Sequence, residues 1–138
     1  MFVETCIIFA AVISFCVLFA APRNEWFFCG LGGSVSWMAY QFLKSKNVHF
    51  AFAVLGATVV LALLAKLFAI LRRQPATIYL LPGIFPLVPG AGIYYTSYFL
   101  IMGDWERFSQ MGVETFETAA AIALGIILVS ALPDRKKS

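Results

Sequence analysis

The hydrophobic stretch from Ile78 to Met102 constrains the fold more than any other part of the chain. It reads IYLLPGIFPLVPGAGIYYTSYFLIM and is long enough to cross a bilayer, since a helical span needs about 20 residues. Proline removes a backbone donor and glycine costs about 1 kcal/mol in a helix interior, and three of each lie between Pro82 and Gly92. We therefore expect a broken helix. Because unpaired backbone groups are costly in lipid, such a break indicates a site buried in protein or facing a wet cavity, as in transporters.

The overall composition is that of a polytopic membrane protein. Of the 138 residues, 62% are hydrophobic and 12% are charged, against roughly 45–50% and 25% in soluble domains. We expect a single all-α membrane domain, residues 1–138, built as a bundle of about five transmembrane helices. The fourth span is the Pro/Gly-broken one, and a short amphipathic segment from Trp105 to Glu117 precedes the last span. The predicted spans cover approximately residues 2–21, 26–43, 48–71, 78–102 and 113–132.

Several functional classes have no signal in the sequence. The three cysteines lie in apolar segments without metal-binding spacing and His49 stands alone, so we predict no metal site and no cofactor. No nucleophile with an adjacent base and no catalytic carboxylate pair can be identified, so the chain is not predicted to be an enzyme. The net charge of +3 is small and lies at the predicted membrane edges, which argues against nucleic acid as a partner.

The broken stretch offers backbone groups of both polarities to a ligand. Pro89 can begin a helix, which leaves the N–H groups of Gly90, Ala91 and Gly92 unpaired at a helix start that favours a carboxylate. Upstream, the carbonyls of residues 83–85 lose their helical partners and could accept from an ammonium group. Donors and acceptors together near the middle of the membrane suit a small zwitterion or carboxylate, whereas a purely structural kink is the alternative. Hydroxyl groups that could add contacts follow within two turns: Tyr94, Tyr95, Thr96 and Ser97.

Two charged residues are candidate coupling or charge partners. A carboxylate facing a protein-lined cavity can hold a coupling proton because desolvation favours its neutral form, and Glu117 is the better-placed candidate. Lys66 lies in the last two turns of the third span. It either extends to the interface or pairs with a buried carboxylate or the carboxylate of a substrate.

The distribution of basic residues predicts the orientation in the membrane. With five spans, one side collects Arg23, Arg72, Arg73 and the basic tail, and the other side has only Lys44, Lys46 and Arg107. The basic-inside bias then places the C-terminus in the cytoplasm and the N-terminus outside. A re-entrant second segment would reverse the prediction for the N-terminus.

The proline- and glycine-rich stretch resembles the signature of the threonine/serine exporter (ThrE) family. The likeness is carried by PATIYLLPGIFPLVPGAGIYYT at residues 75–96, GSVSWMAY at 33–40 and AAAIALGIILVSALP at 119–133. More specifically, the chain is similar to the C-terminal half of that exporter, which many bacteria make as a separate small, YjjB-like subunit.

The resemblance implies secondary export of small amino acids, or of small organic acids, driven by the proton gradient across the bacterial cytoplasmic (inner) membrane. It also implies a partner, the larger ThrE half (a YjjP-like membrane subunit), and the small size of the chain indicates either this partner or a homo-oligomer. The alternative is a non-transporting assembly subunit whose partner carries the pathway. The resemblance carries over Pro82, Gly83, Pro86, Pro89, Gly90 and Tyr94 as site residues. Together with Gly92, Tyr95 and Thr96 they form the predicted substrate site.

Overall fold

The computed structural model describes residues 2–133, and all regular structure in that range is helical. The predicted all-α class is confirmed. The basic tail, residues 134–138, which contributes to the orientation prediction, lies outside the described residues. The α-helices are α1 (Phe2–Leu18), α2 (Trp26–Ser45), α3 (Phe50–Arg72), α4 (Thr77–Ile84), α5 (Gly90–Ile101) and α6 (Trp105–Ser130), and short 3-10 turns cover Arg23–Glu25 and Phe85–Leu87.

Only some of these helices are by themselves long and apolar enough to cross a membrane. Among the described residues α3 and α6 meet both conditions, and α4 with its 3-10 turn forms a bent pair with α5 that would make a third span. Helix α1 is apolar but has only 17 residues. The membrane class therefore holds, while the number and bounds of the spans stay a prediction.

Small residues on α2 allow the first four helices to pack closely. A Cβ atom at Gly33 would overlap Val12 of α1 and would lie 3.5 Å from the Cα atom of Gly83 in α4. About one turn further along α2, the Ser36 hydroxyl donates to the Ala57 carbonyl of α3 at 3.1 Å. Both contacts are of the kind that small residues provide between membrane helices.

Helix α6 is longer than the last span that we expected. The segment Trp105–Glu117, predicted to lie separately along the surface, is the first half of α6 and continues without a break to Ser130. Asp104 caps its N-terminus by accepting from the Arg107 N–H group at 3.2 Å. Gly112, the one glycine in this first half of α6, weakens the helix by only about 1 kcal/mol, which is too little to end it.

Helix α5 and the first half of α6 form a hairpin that extends beyond the N-terminus of α3. The two helices are antiparallel, with Gly92 against Thr115, and no residue of α5 is buried. Helix α6 runs in the same direction as α3, because Gly125 packs on Thr58 and the later Val129 carbonyl accepts from Lys66. The part of α6 before residue 118 therefore extends past the first residue of α3 and does not pack along that helix.

Candidate functional site

The helix is broken at Val88 and Pro89, between the 3-10 turn and α5. Proline at 89 cannot donate to the carbonyl four residues back and pushes Val88 into an extended conformation, with ψ at 133°. The Pro89 carbonyl then accepts from Ile93 at 3.0 Å, which begins α5. The two helical parts meet at 48°.

Pro82 does not break the helix, although it is the first proline of the stretch. It lies inside α4 and takes away the donor that would have paired with the Ile78 carbonyl. The Cys29 thiol of α2 donates to that carbonyl instead, at 3.3 Å. The neighbouring helix thus satisfies the group that proline frees, and α4 continues to Ile84.

The backbone groups at the break are partly paired, which corrects the expectation from sequence. The Gly90 N–H group, expected to be free, donates to the Val88 carbonyl at 2.8 Å, and the Phe85 carbonyl, expected to be free, accepts from Val88 at 3.2 Å. Within residues 2–133, the N–H groups of Ala91 and Gly92 make no hydrogen bond. Two of the three predicted donors, the N–H groups of Ala91 and Gly92 in the first turn of α5, are therefore unpaired, and the third, that of Gly90, is not.

A cavity of about 230 Å³ lies on the α6 side of the break. Its walls are residues 88–92, Phe50 of α3, and Met111, Glu114, Thr115 and Thr118 of α6. Nothing lies within 4 Å of a Cβ atom built on Gly90, so this glycine faces open space. Gly90, Ala91 and Glu114 are exposed, and the cavity opens to the outside of the chain.

A second cavity, of about 170 Å³, lies on the α2 side of the same break. It is lined by residues 86–89 together with Trp37, Tyr40, Phe50, Val54 and Thr118. The two cavities share Val88 and Pro89 as a wall. Both also touch Phe50, the first residue of α3, so the break lies level with the start of α3 and not with its middle.

Each cavity has one buried polar atom without a hydrogen-bond partner among the described residues. These atoms are the Thr115 hydroxyl oxygen in the first cavity and the Trp37 indole nitrogen in the second. Leaving a buried donor or acceptor unpaired costs about 1–3 kcal/mol. Of the three such atoms among the described residues, these two lie beside the break, and the third, the Ser34 hydroxyl oxygen of α2, lines neither cavity.

The predicted site residues divide between this region and other parts of the fold. Pro86, Pro89, Gly90 and Gly92 line one or both cavities. Gly83 instead packs against Leu61, and Pro82 is buried beside it.

The hydroxyl residues of α5 are not brought to the cavities. Tyr94 and Tyr95 are exposed and stack on Tyr98 and Phe99 along the helix. The Thr96 hydroxyl donates to the Gly92 carbonyl at 2.7 Å. Their predicted contacts to substrate stay predictions that this arrangement does not favour.

The two charged candidates line neither cavity at the break, although Lys66 lines a separate cavity of about 200 Å³ between α3, α4 and α6. Lys66 donates to the carbonyls of Val129 and Leu132, at 3.4 and 2.7 Å, and so caps the C-terminus of α6 at the far end of α3. Glu117 lies one position before Thr118 on α6, whereas Glu114 is the carboxylate that lines the first cavity.

Comparison with known families decides which class of protein carries this site. The family model described as threonine/serine exporter, ThrE, matches residues 4–132. The chain belongs to the threonine/serine exporter family. That family is one of transporters, not of enzymes. No curated protein and no solved structure matches the chain.

This exporter-family chain has a second cluster of polar side chains, which was not predicted from the sequence. Glu25, in the turn between α1 and α2, is only 3% exposed. Arg72 at the end of α3 pairs with it through two nitrogens, each 3.1 Å from a carboxylate oxygen, and the Tyr79 hydroxyl donates to it at 2.7 Å. The Arg72 guanidinium also lies over the Phe28 ring, 4.7 Å from its centre. The cluster ties together the start of α2, the C-terminal end of α3 and α4, whereas the break lies beside the first residue of α3.

The electrostatics of this cluster follow from its partners. The hydrogen bonds from Arg72 hold the pKa of the Glu25 carboxyl below its usual range, although burial opposes this effect. In the sequence Glu25 was simply part of a polar turn, PRNE, and its partners lie 47 and 54 positions away. The one available signal was a single acidic residue among basic ones at the predicted membrane edge.

Proposed function

We propose that this chain is a subunit of a secondary transporter that exports small amino acids of the threonine and serine type, or related small organic acids, and that it holds its substrate at the break between α4 and α5. The observation that carries the proposal is the coincidence of the break with two cavities that each contain an unpartnered buried polar atom. Structural packing alone would favour filling such spaces with apolar groups.

The first cavity matches the chemistry of a small amino acid. The free N–H groups of Ala91 and Gly92 and the positive end of the α5 dipole suit the carboxylate of the substrate. The Glu114 carboxylate in the opposite wall suits the ammonium group. A volume of about 230 Å³ is below the roughly 300–1,000 Å³ of sites for drug-sized ligands, so a small solute is favoured.

Proton coupling requires a carboxylate that changes its protonation state with substrate occupancy. Glu114 lines the cavity and is the first candidate, and Glu117, three residues later on α6, is the second. Replacing each in turn by glutamine separates the two. Loss of proton-driven export with retained substrate counterflow is the signature of the coupling residue.

The exposure of the first cavity at the surface of this chain supports the presence of a partner subunit. Gly90, Ala91 and Glu114 are exposed in this chain alone, so a substrate there would still touch the surroundings. We propose that the larger ThrE half, the YjjP-like subunit, or a second copy of this chain closes the site in the bacterial cytoplasmic membrane. The proposed orientation places the C-terminus in the cytoplasm and the N-terminus outside.

A substitution at Gly90 tests the location of the site. Leucine at this position enters open space, so the protein should fold and insert, while export of labelled serine or threonine falls to background because the side chain fills the cavity. Gly112→Ala is the matched control on the same hairpin, since its Cβ makes only an ordinary contact, 3.6 Å from Thr96. Normal counterflow by the Gly90→Leu variant would show that the substrate site does not lie at the break.

A purely structural role in assembly is the second candidate. It is favoured by the apolar side chains that the hairpin exposes, among them Ile93, Ile101 and Phe116. Reconstitution of the larger subunit without this chain discriminates between the two. Full transport by the larger subunit alone supports the assembly role, and absence of transport supports a direct part in the pathway.

A further inference from the structure

Thr115 uses its hydroxyl differently from three other threonines in the helices of this chain. The hydroxyls of Thr58, Thr96 and Thr118 each donate to the carbonyl four residues earlier, at 2.8, 2.7 and 2.9 Å. The Thr115 hydroxyl is buried and has no partner within residues 2–133. A threonine hydroxyl in a helix normally satisfies itself on the preceding turn, so this exception needs a reason.

The position of Thr115 supplies that reason. It lines the first cavity in the same wall as Glu114 and opposite the first turn of α5. Its hydroxyl oxygen lies against Gly92 and would be overlapped by a Cβ atom there. Glycine at 92 therefore leaves room for the hydroxyl beside the free N–H groups of Ala91 and Gly92.

We infer that Thr115 recognises the side-chain hydroxyl of the substrate and thereby makes this cavity selective for β-hydroxy amino acids over their deoxy analogues. The inference rests on the proposed function, because it assigns a specificity role within the proposed site. A hydroxyl both donates and accepts, so it can pair with a substrate hydroxyl in either sense. A site built to bond a hydroxyl discriminates against the analogue that lacks it, because the protein group then stays buried and unpaired.

The test compares serine with alanine, which differ only in the hydroxyl group. Both are assayed as labelled substrates in inverted membrane vesicles that contain the full chain in its native complex. Thr115→Val keeps the shape of the side chain and removes the hydroxyl, and we expect the serine-to-alanine ratio of transport rates to fall on the order of tenfold. Alanine transport itself should be unchanged or higher. Thr115→Ser should retain the ratio of the native chain.

Thr58→Val is the matched control. Thr58 is a fully buried helical threonine, whereas Thr115 is half-buried; the Thr58 hydroxyl is already bonded to the Val54 carbonyl, and Thr58 lines neither cavity. This variant should keep the native serine-to-alanine ratio. A second measurement follows binding directly, since serine should raise the melting temperature of the native complex more than that of the Thr115→Val complex.

The outcomes separate this inference from the proposed function. If Thr115→Val lowers serine and alanine transport equally, or leaves their ratio unchanged, the specificity role is wrong while the site at the break can stand. If the native complex transports serine and the Gly90→Leu variant does so equally well, the site itself is wrong. A changed ratio in Thr115→Val with an unchanged ratio in Thr58→Val supports the inference.

Discussion

Replacing Arg72 by methionine should destabilise the fold more than replacing Glu25 by glutamine, although the two residues form one ion pair. The asymmetry follows from exposure: the Arg72 side chain is 39% exposed, whereas the Glu25 side chain is 4% exposed. Without Glu25, the guanidinium can turn to water. Without Arg72, the carboxylate stays buried with the Tyr79 hydroxyl as its remaining donor.

The magnitudes follow from these two situations. An unpaired buried charge costs about 3–5 kcal/mol, and the partial exposure of the pair places Arg72→Met at the lower end, about 3 kcal/mol. Glu25→Gln keeps an acceptor for Tyr79 and should cost about 1 kcal/mol. At about 4 °C per kcal/mol for a chain of this size, the melting temperatures should fall by roughly 12 and 4 °C. The double variant should resemble Glu25→Gln more than the sum of both, with a coupling energy of about 2 kcal/mol.

The same pair predicts a pH dependence whose sign reverses in the variant. The pKa of Glu25 is lowered in the native chain, so its stabilising contribution is complete above the ordinary glutamate pKa of about 4.3 and is lost as pH falls through the lower folded value. In Arg72→Met we expect burial to outweigh the Tyr79 hydrogen bond and to raise the pKa of Glu25, so that protonation of Glu25 adds stability to this variant as pH falls. Its melting temperature should therefore fall less than that of the native chain between pH 7 and pH 4.

The assay is thermal unfolding of the purified protein in detergent, followed by tryptophan fluorescence and by the fraction that remains monodisperse. Tyr79→Phe serves as the control for the hydroxyl contact alone. Equal losses for the two single variants, or a milder effect of Arg72→Met, would refute the exposure argument.

Two further predictions concern glycine and proline. Gly33→Ala should lower the free energy of unfolding by about 1–3 kcal/mol because its Cβ atom overlaps Val12. Gly32→Ala is the control, since its Cβ atom makes only ordinary contacts and should change the free energy of unfolding little. Unfolding of the two variants in detergent tests this difference. Pro89→Ala restores a backbone donor at the break and should reduce the 48° bend. Distances between spin labels on α4 and α5 measure this, and an unchanged distance distribution would assign the bend to packing.

The helical membrane class and the existence of a break could be predicted from the sequence because both depend on local chemistry. A high apolar fraction excludes a soluble fold, and Pro89 acts on its own neighbours whatever surrounds it. The site of the break was less predictable. Pro82 is tolerated because the Cys29 thiol reaches the Ile78 carbonyl, and that bond joins residues 49 positions apart.

The residues that line the candidate site could be predicted only in part. Gly90 and Pro89 were identified from their chemistry, but Thr115 was not, because nothing local distinguishes its hydroxyl from that of Thr118 three residues later. The difference appears only in the structure, where the Thr118 hydroxyl pairs with the Glu114 carbonyl and the Thr115 hydroxyl, which lies against Gly92 of α5, has no partner among residues 2–133. The continuity of α6 was also not predicted: the first half of that helix, expected as a separate segment along the surface, packs one side on α5 and continues into the last span.

The hairpin of α5 and the first half of α6 has a mechanical consequence. It joins the rest of the chain at two places, the pair Val88–Pro89 and the continuous backbone of α6 near Thr118. Because α6 is unbroken at that point, only Val88–Pro89 is a non-helical connection, and the hairpin walls of the first cavity could move relative to Phe50 only if α6 bends. Such a bend would make the width of the first cavity depend on the contacts that a lipid or a partner subunit makes with the exposed apolar side chains of the hairpin.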